Sequence, residues 1–142
     1  MQEYKPIKVP IPVGAKLSSK QCPKTQEEVQ DLSHDPYASV FGSLVYDMVC
    51  TRPNIAHAVG FLSRYMSKLG KEHWIVVKRV FWYLCGATDY EICYQGRLEP
   101  TRVLYTQGLV DADWAGDLHR RRSTSSYVFK LFGGAIGWMS RR

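Results

Sequence analysis

The sequence lacks the long hydrophobic run that a membrane-spanning helix requires. No stretch approaches the roughly 18 apolar residues of such a helix. Pro6, Pro10 and Pro12 interrupt the apolar segment at the N-terminus, which argues against the hydrophobic region of a secretory signal peptide. We therefore expect a protein without a membrane segment, located in the cytoplasm or the nucleus.

Cysteine is scarce, and its spacing excludes the usual metal site. The four cysteines form no C-x-x-C pair, whereas zinc sites generally need such closely spaced ligands. His57 and His73 lie in predicted helices without a second ligand nearby, so we interpret them as surface or packing residues. Reduced thiols are the default for such a chain in the cytosol or nucleus.

Acidic residues are outnumbered by basic ones. The 142 residues include 19 Lys and Arg against 13 Asp and Glu, which gives a net charge of +6. A 45% hydrophobic content can supply the core of one ordinary domain or of two partial domains. The positive surplus is compatible with a phosphate backbone as partner, although many basic domains bind no nucleic acid.

Residues 1–35 are predicted to form an extended linker. Four prolines in this segment disfavour helix in the residues that precede them, and much of the remaining sequence is polar. Thr25 and Glu28 have the spacing of a capping box, which predicts one short helical turn. The function expected of this segment is connection.

Residues 36–88 are predicted to form a three-helix antiparallel bundle. The helices begin near Pro36, at Pro53 and at about Glu72, and Gly86 ends the third. Apolar residues recur at the three- and four-residue spacing of one buried face on each helix. The residues expected to face the core are Tyr37, Val40, Phe41, Leu44, Val45, Met48, Val49, Ile55, Val59, Leu62, Met66, Trp74, Val77, Phe81 and Leu84.

Residues 89–142 change to the alternating pattern of β-strands. Period-two runs predict strands over 90–94, 103–110, 127–131 and 135–139. The Gly133-Gly134 pair predicts a tight hairpin between the last two of them. The sequence therefore predicts an α+β protein, with a helical bundle followed by an antiparallel β-meander.

Three carboxylates follow the second of these runs, at Asp111, Asp113 and Asp117. On a strand, Asp111 and Asp113 would point to the same face, where their oxygens could bind a hard cation such as Mg²⁺. The alternative is an acidic loop that closes a hairpin, because Asp and Gly are common turn residues.

Two long segments carry a resemblance to a known family. Residues 110–140, VDADWAGDLHRRRSTSSYVFKLFGGAIGWMS, resemble the opening of the ribonuclease H domain in Ty1/copia-type retrotransposon polyproteins. Residues 36–84, which begin PYASVFGSLVYDMVCTRPNIAHAVGFLSRYM, resemble the C-terminal part of the reverse transcriptase in the same polyproteins. The resemblance implies that Asp111 is the metal-binding catalytic aspartate and that the β-region is ribonuclease H-like. Ser126 stands where the family has a glycine.

The same resemblance implies that the nuclease region is incomplete. In the family, a further helix and a parallel strand supply the other catalytic acids, and the intact enzyme uses Mg²⁺. Here the sequence ends at Arg142, so we expect a non-catalytic polyprotein fragment without a cofactor, and with an inactive, incomplete metal site at Asp111. The open sheet edge beside 103–111 is expected to favour self-association.

Basic side chains are the candidates for weak binding to duplex nucleic acid or an RNA–DNA hybrid. By resemblance, the helical bundle is a thumb-like or connection-like element, whose cations would face phosphates. The alternative is a solvated charged face. The candidate residues are Lys68, Lys71, Lys78, Arg79, Arg120, Arg121 and Arg122.

A second function of a different class also follows from resemblance. Short copia-like chains are similar to secreted RxLR-type effectors of oomycete plant pathogens, which act inside the host cell on plant proteins. The sequence contains no Arg-x-Leu-Arg motif, and its nearest basic cluster is Arg120–Arg122. The effector function is therefore kept as the alternative to the polyprotein fragment.

Overall fold

The computed structural model describes most of the predicted helical and β regions. The residues that it describes are 7–12, 15, 17–18, 21–23, 25–26, 28, 30, 36–67, 70–96, 105–113 and 123–141, without the side chain of residue 113. Within these residues, three α-helices with described bounds, further helical residues at 26, 28 and 30, and a three-stranded antiparallel sheet form an α+β structure. The antiparallel bundle and the ribonuclease H-like meander stay predictions.

The helices are α1 (Tyr37–Cys50), α2 (Ala56–Leu62) and α3 (Lys71–Gly86). Short 3₁₀ turns, Pro53–Ile55 and Ser63–Tyr65, precede and follow α2. Pro53 begins its turn without cost, because the N–H group it lacks would be unpaired there anyway.

One hydrophobic core joins the three helices. Leu44, Ile55, Leu62, Val77 and Val80 are fully buried within it. Such close-packed sites are sensitive to the loss of even one methylene group. The helical spacing predicted four of these five residues and missed Val80.

Two residues predicted to face the core are exposed instead. Val49 is 62% exposed and Met66 is 41% exposed. Val49 lies about 100° around α1 from Met48, which packs against the core. Met66 follows the Ser63–Tyr65 turn, where the period falls to three residues and the α-helical spacing no longer applies.

The inward face of α3 is also rotated from the predicted one. Its buried residues are His73, Val76, Val77, Val80 and Tyr83. The predicted inward residues Trp74, Phe81 and Leu84 are half-buried and pack against the margin of the core. A shift of one residue rotates a helical face by about 100°, which explains the difference.

The sheet consists of β1 (Gln107–Asp113), β2 (Thr124–Leu131) and β3 (Gly134–Arg141), in the order β1-β2-β3. The β2–β3 hairpin turns one residue earlier than predicted, at Phe132 and Gly133, which both have positive φ (51° and 83°). Positive φ at both central residues is typical of a type I′ turn, whose twist matches that of the strands. Gly134 is already paired with Leu131.

The strand predicted over 90–94 is wrong, because residues 90–96 form no strand. At the start of this segment, the backbone groups of Tyr90 form other hydrogen bonds. The Tyr90 carbonyl accepts a hydrogen bond from Arg52 (2.8 Å), and the Tyr90 N–H donates to the Ala87 carbonyl. Further along, Gln95 N–H donates one bond to the Phe132 carbonyl (2.8 Å), which is too few for a ladder. For the strand predicted over 103–110, positions 103–104 lie outside the described residues.

The sheet contacts the helices through β3. Trp138 Nε1 donates a hydrogen bond of 2.7 Å to the Met48 carbonyl in the last turn of α1. Gly60 of α2 lies so close to β3 that a Cβ atom there would be 2.8 Å from the Ser140 carbonyl oxygen. A residue without a side chain therefore permits this close approach.

The N-terminal segment also contacts the helices. Ile7, Ile11 and Leu17 pack against the core, and the Tyr65 hydroxyl donates to the Leu17 carbonyl (2.8 Å). Reciprocal bonds between Thr25 and Glu28, of 3.4 and 3.5 Å, confirm the predicted capping box. The assignment of 1–35 as a linker stays a prediction.

Candidate functional site

Asp111 lies on β1, opposite Ser126 of β2, which in turn lies opposite Ser140 of β3. Residues directly opposite each other on adjacent strands share a face of the sheet. The two serine hydroxyls are hydrogen-bonded at 3.0 Å. We call Asp111, Ser126 and Ser140 the polar row.

The polar row lies on the face of the sheet that carries Trp138. Trp138 and Ser140 are two positions apart on β3, so their side chains point to the same side. This is the face from which Trp138 reaches the Met48 carbonyl. Asp111 is at the opposite, exposed end of the row, two strand spacings or about 10 Å from β3.

The polar row can offer a cation one carboxylate, from Asp111, and the hydroxyl groups of Ser126 and Ser140. Mg²⁺ prefers oxygen ligands in a near-ideal octahedron, and hydrolysis by two metal ions needs several carboxylates to fix the pair. Among the described residues, no group of three His, Cys, Asp or Glu side chains converges. This donor set does not fit a metal pair.

The other acidic candidates are described only in part. β1 is continuous from Asp111 to Asp113, but the side chain of Asp113, and Asp117 as a whole, lie outside the described residues. The prediction that Asp111 and Asp113 share a face stays a prediction.

Among the predicted basic residues, Lys71 and Lys78 are exposed on α3. They are seven residues apart, so they lie on one face, separated by about 10 Å along the helix axis. The Lys78 ammonium is 6.0 Å from the centroid of the Trp74 ring. Arg79 is half-buried, and its Nε is buried without a hydrogen-bond partner. The remaining candidates, which lie outside the described residues, are Lys68, Arg120, Arg121 and Arg122.

Sequence reasoning missed Arg64 as a further basic candidate. Its guanidinium lies 5.0 Å from the centroid of the Phe61 ring, within the range of a cation–π contact. Phe61 and Arg64 are three positions apart, a spacing at which helical side chains are neighbours. This three-residue spacing is the feature of the sequence that predicts contact between Phe61 and Arg64.

His73 is a packing residue, which is one of the two alternatives, surface or packing residue, that the sequence predicted. It is fully buried, its Nδ1 accepts the Gly70 N–H at 3.1 Å, and its ring centroid is 4.5 Å from that of Tyr65. Burial lowers the pKa of His73, and the Glu72 carboxylate opposes this shift. His73 is therefore neutral near pH 7. Its Nε2 has no hydrogen-bond partner.

The chain is similar to proteins encoded by plant transposons. It is 47% identical over 141 residues to the retrovirus-related Pol polyprotein from transposon TNT 1-94 of Nicotiana tabacum, a match over 99% of the chain and 10% of the relative. It is 33% identical over 142 residues to the corresponding polyprotein from transposon RE2 of Arabidopsis thaliana. The chain thus spans about one tenth of the length of these polyproteins.

A shorter relative is matched over most of its own length. The chain is 46% identical over 109 residues to secreted RxLR effector protein 161 of Plasmopara viticola, which covers 75% of the chain and 72% of that relative. No family model and no solved structure matches the chain. Within the part that the structure describes, no helix has the length and apolar character needed to cross a membrane.

Proposed function

Because this chain belongs to the family of retrotransposon Pol polyproteins, we propose that it forms the junction between the reverse transcriptase and ribonuclease H regions of such a polyprotein. The observation that carries the proposal is the contact between helices and sheet. Trp138 binds the Met48 carbonyl, and Gly60 packs against Ser140. In this role, the contact fixes the polymerase-like helices relative to the nuclease-like strands.

The nucleic-acid contribution of this junction is weak and independent of sequence. Lys71 and Lys78 project from one exposed face of α3, and the whole chain has a net charge of +6. Cations of this kind bind the phosphates of duplex nucleic acid or an RNA–DNA hybrid. Such binding releases counterions, so it weakens steeply as the salt concentration rises.

We propose that the segment does not itself hydrolyse nucleic acid. Asp111 is grouped with Ser126 and Ser140 rather than with a second carboxylate among the described side chains. In the intact family the reaction uses Mg²⁺, and one exposed carboxylate with a hydroxyl pair does not fix a metal pair.

The binding proposal is tested by titrating a fluorescently labelled RNA–DNA hybrid at several salt concentrations. The double variant Lys71→Gln/Lys78→Gln should reduce the slope of log K against log salt by about 2, which is about one for each phosphate contact. The control Lys8→Gln/Lys130→Gln removes the same charge elsewhere and should leave that slope unchanged. Equal effects of both variants, or an affinity that does not change with salt concentration, would contradict the assignment of binding to the Lys71 and Lys78 face of α3.

We propose a cytoplasmic or nuclear location for this function. All four cysteines are free thiols. Cysteines of proteins in oxidising compartments are more often paired in disulfides, so the free thiols favour this location. Fluorescence microscopy of a tagged chain in plant cells checks this location, and accumulation in the secretory pathway would contradict it.

A secreted effector is the second candidate, because the effector relative is matched over 72% of its length. In that function the chain would bind plant proteins inside the host cell. Mapping both ends of the transcript separates the two candidates. A reading frame continuous with polymerase-coding sequence supports the polyprotein, whereas a short frame that opens with a signal sequence supports the effector.

A further inference from the structure

The outer edge of β1 is the open edge of the sheet in the described part of the chain. β1 is an end strand, and no described strand pairs with its outer side. Its side chains are exposed from residue 107 to residue 112, with Val110 at 77% and Leu109 at 48%. The unpaired N–H and C=O groups of such an edge can pair with another strand.

β1 lacks lysine, proline and a β-bulge, although it carries the charged residues Asp111 and Asp113. Natural edges carry lysine, proline or a β-bulge, whereas residues 107–113 read QGLVDAD. The irregularity in this sheet is between β2 and β3, next to Phe129 and Lys130. The opposite end strand, β3, is packed against α2 at Gly60, so β1 is the accessible side.

An apolar row crosses the sheet on the face opposite the polar row. Val110 lies opposite Tyr127, and Tyr127 lies opposite Met139. Val110 and Met139 are exposed, Met139 at 40%, and Tyr127 is half-buried. We call these three residues the apolar row. It ends at the open edge, so a strand added to β1 would extend it.

We propose that two copies of this chain associate through antiparallel pairing of their β1 strands, centred on Val110. Val110 of one copy lies opposite Val110 of the other, Leu109 lies opposite Asp111, and Gly108 lies opposite Ala112. The two apolar rows then become one continuous row across a six-stranded sheet. The inference is independent of the nucleic-acid function.

Charge disfavours the register centred on Asp111. Like charges directly opposite each other destabilise a strand pair, and a register centred on Asp111 would oppose the two Asp111 carboxylates. Centred on Val110, each Asp111 faces the apolar Leu109 instead. Because the contact is isologous, it uses the open edge of both copies and closes as a dimer rather than a fibre.

Salt distinguishes this association from nucleic-acid binding. Each copy carries a net charge of +6, and Asp111 and Asp113 of both copies lie near the dimer axis. Salt screens the repulsion between the two positively charged copies and the repulsion between their aspartates. Self-association should therefore strengthen as the salt concentration rises, whereas nucleic-acid binding weakens. Failure of one prediction therefore leaves the other intact.

The first experiment is sedimentation equilibrium of the full chain at low and moderate salt, without nucleic acid. The wild type should show a monomer–dimer equilibrium whose dissociation constant falls several-fold at the higher salt. Val110→Lys should weaken the dimer at least tenfold, whereas Val49→Lys, at an exposed apolar position on α1, should not. A wild type that stays monomeric, or equal effects of the two variants, would overturn the proposal.

The second experiment tests the register without disrupting the strand. In a background with all four cysteines replaced by serine, Val110→Cys should form a disulfide between copies under mild oxidation. Leu109→Cys is the control, because its counterpart in the second copy lies diagonally across and cross-links slowly. Faster cross-linking through Leu109→Cys, or none through Val110→Cys, overturns the proposed register.

Discussion

Trp138 Nε1 donates a hydrogen bond to the Met48 carbonyl at 2.7 Å, across 90 positions of the sequence. Met48 lies in the last turn of α1, where helix carbonyls have no partner within the helix. The sheet thus satisfies an acceptor that α1 leaves open. This contact joins the helical region of the chain to the sheet.

Replacing Trp138 tests how much this contact stabilises the fold. Trp138→Phe keeps an aromatic ring but removes the donor, so it should lower the free energy of unfolding by about 1–3 kcal/mol through the unpaired acceptor. Trp74→Phe, on α3, is the control for the effect of replacing an indole by a smaller ring. Urea unfolding measures both variants, and an equal loss would mean that the hydrogen bond contributes nothing.

Gly60 and Gly42 provide a matched pair for the contact between α2 and β3. Both glycines lie within helices, where alanine is normally favoured by about 0.5–1 kcal/mol. At Gly42, nothing lies within 4 Å of the added Cβ, so Gly42→Ala should stabilise the chain. At Gly60, the Cβ would lie 2.8 Å from the Ser140 carbonyl oxygen, so Gly60→Ala should destabilise it. Thermal unfolding would contradict this contact if both variants raised Tm.

The fully buried His73 predicts how stability depends on pH. Its pKa is lowered in the folded chain, so the unfolded chain binds a proton first as the pH falls below about 6.5. Stability should therefore be complete above this pH and decrease towards the lowered pKa of the folded state. Burial of the His73 ring is the main cause of the shift.

Urea midpoints measured between pH 7.5 and 5 check this dependence on His73. His73→Gln should flatten the dependence, and His57→Gln, at an exposed position on α2, is the matched control for replacing a histidine. A wild type whose stability does not change over this range would contradict the neutral, buried state of His73.

The sequence predicted the helices better than the first strand, for physical reasons. Leu44, Val59 and Val77 follow the helical period and are buried, because a single face of each helix packs on one core. The alternation in residues 90–94 is equally regular, yet Arg52 takes the Tyr90 carbonyl. A local pattern cannot reveal a hydrogen bond formed by a residue 38 positions away.

The candidate site was predictable only where it depends on strand alternation. Asp111 lies on β1, which is one of the two alternatives that the sequence left open, and its role as a candidate came from family resemblance. The pairing of Ser126 with Ser140 depends on the β2–β3 register, which is set by the turn at Phe132 and Gly133. Because that turn lies one residue earlier than Gly133-Gly134, the polar row could not be predicted.

We expect that this chain does not cleave the RNA strand of an RNA–DNA hybrid, although it carries Asp111. A single carboxylate supplies at most two oxygens, and Mg²⁺ gives up its bound water reluctantly. The Ser126 and Ser140 hydroxyls bond to each other at 3.0 Å and are neutral, so they do not replace the missing negative charge. Hydrolysis measured with Mg²⁺ or Mn²⁺ should therefore equal that of Asp111→Asn. Cleavage by the wild type that is lost in Asp111→Asn would contradict this expectation. It would mean that further carboxylates, such as Asp113 and Asp117, complete the metal site.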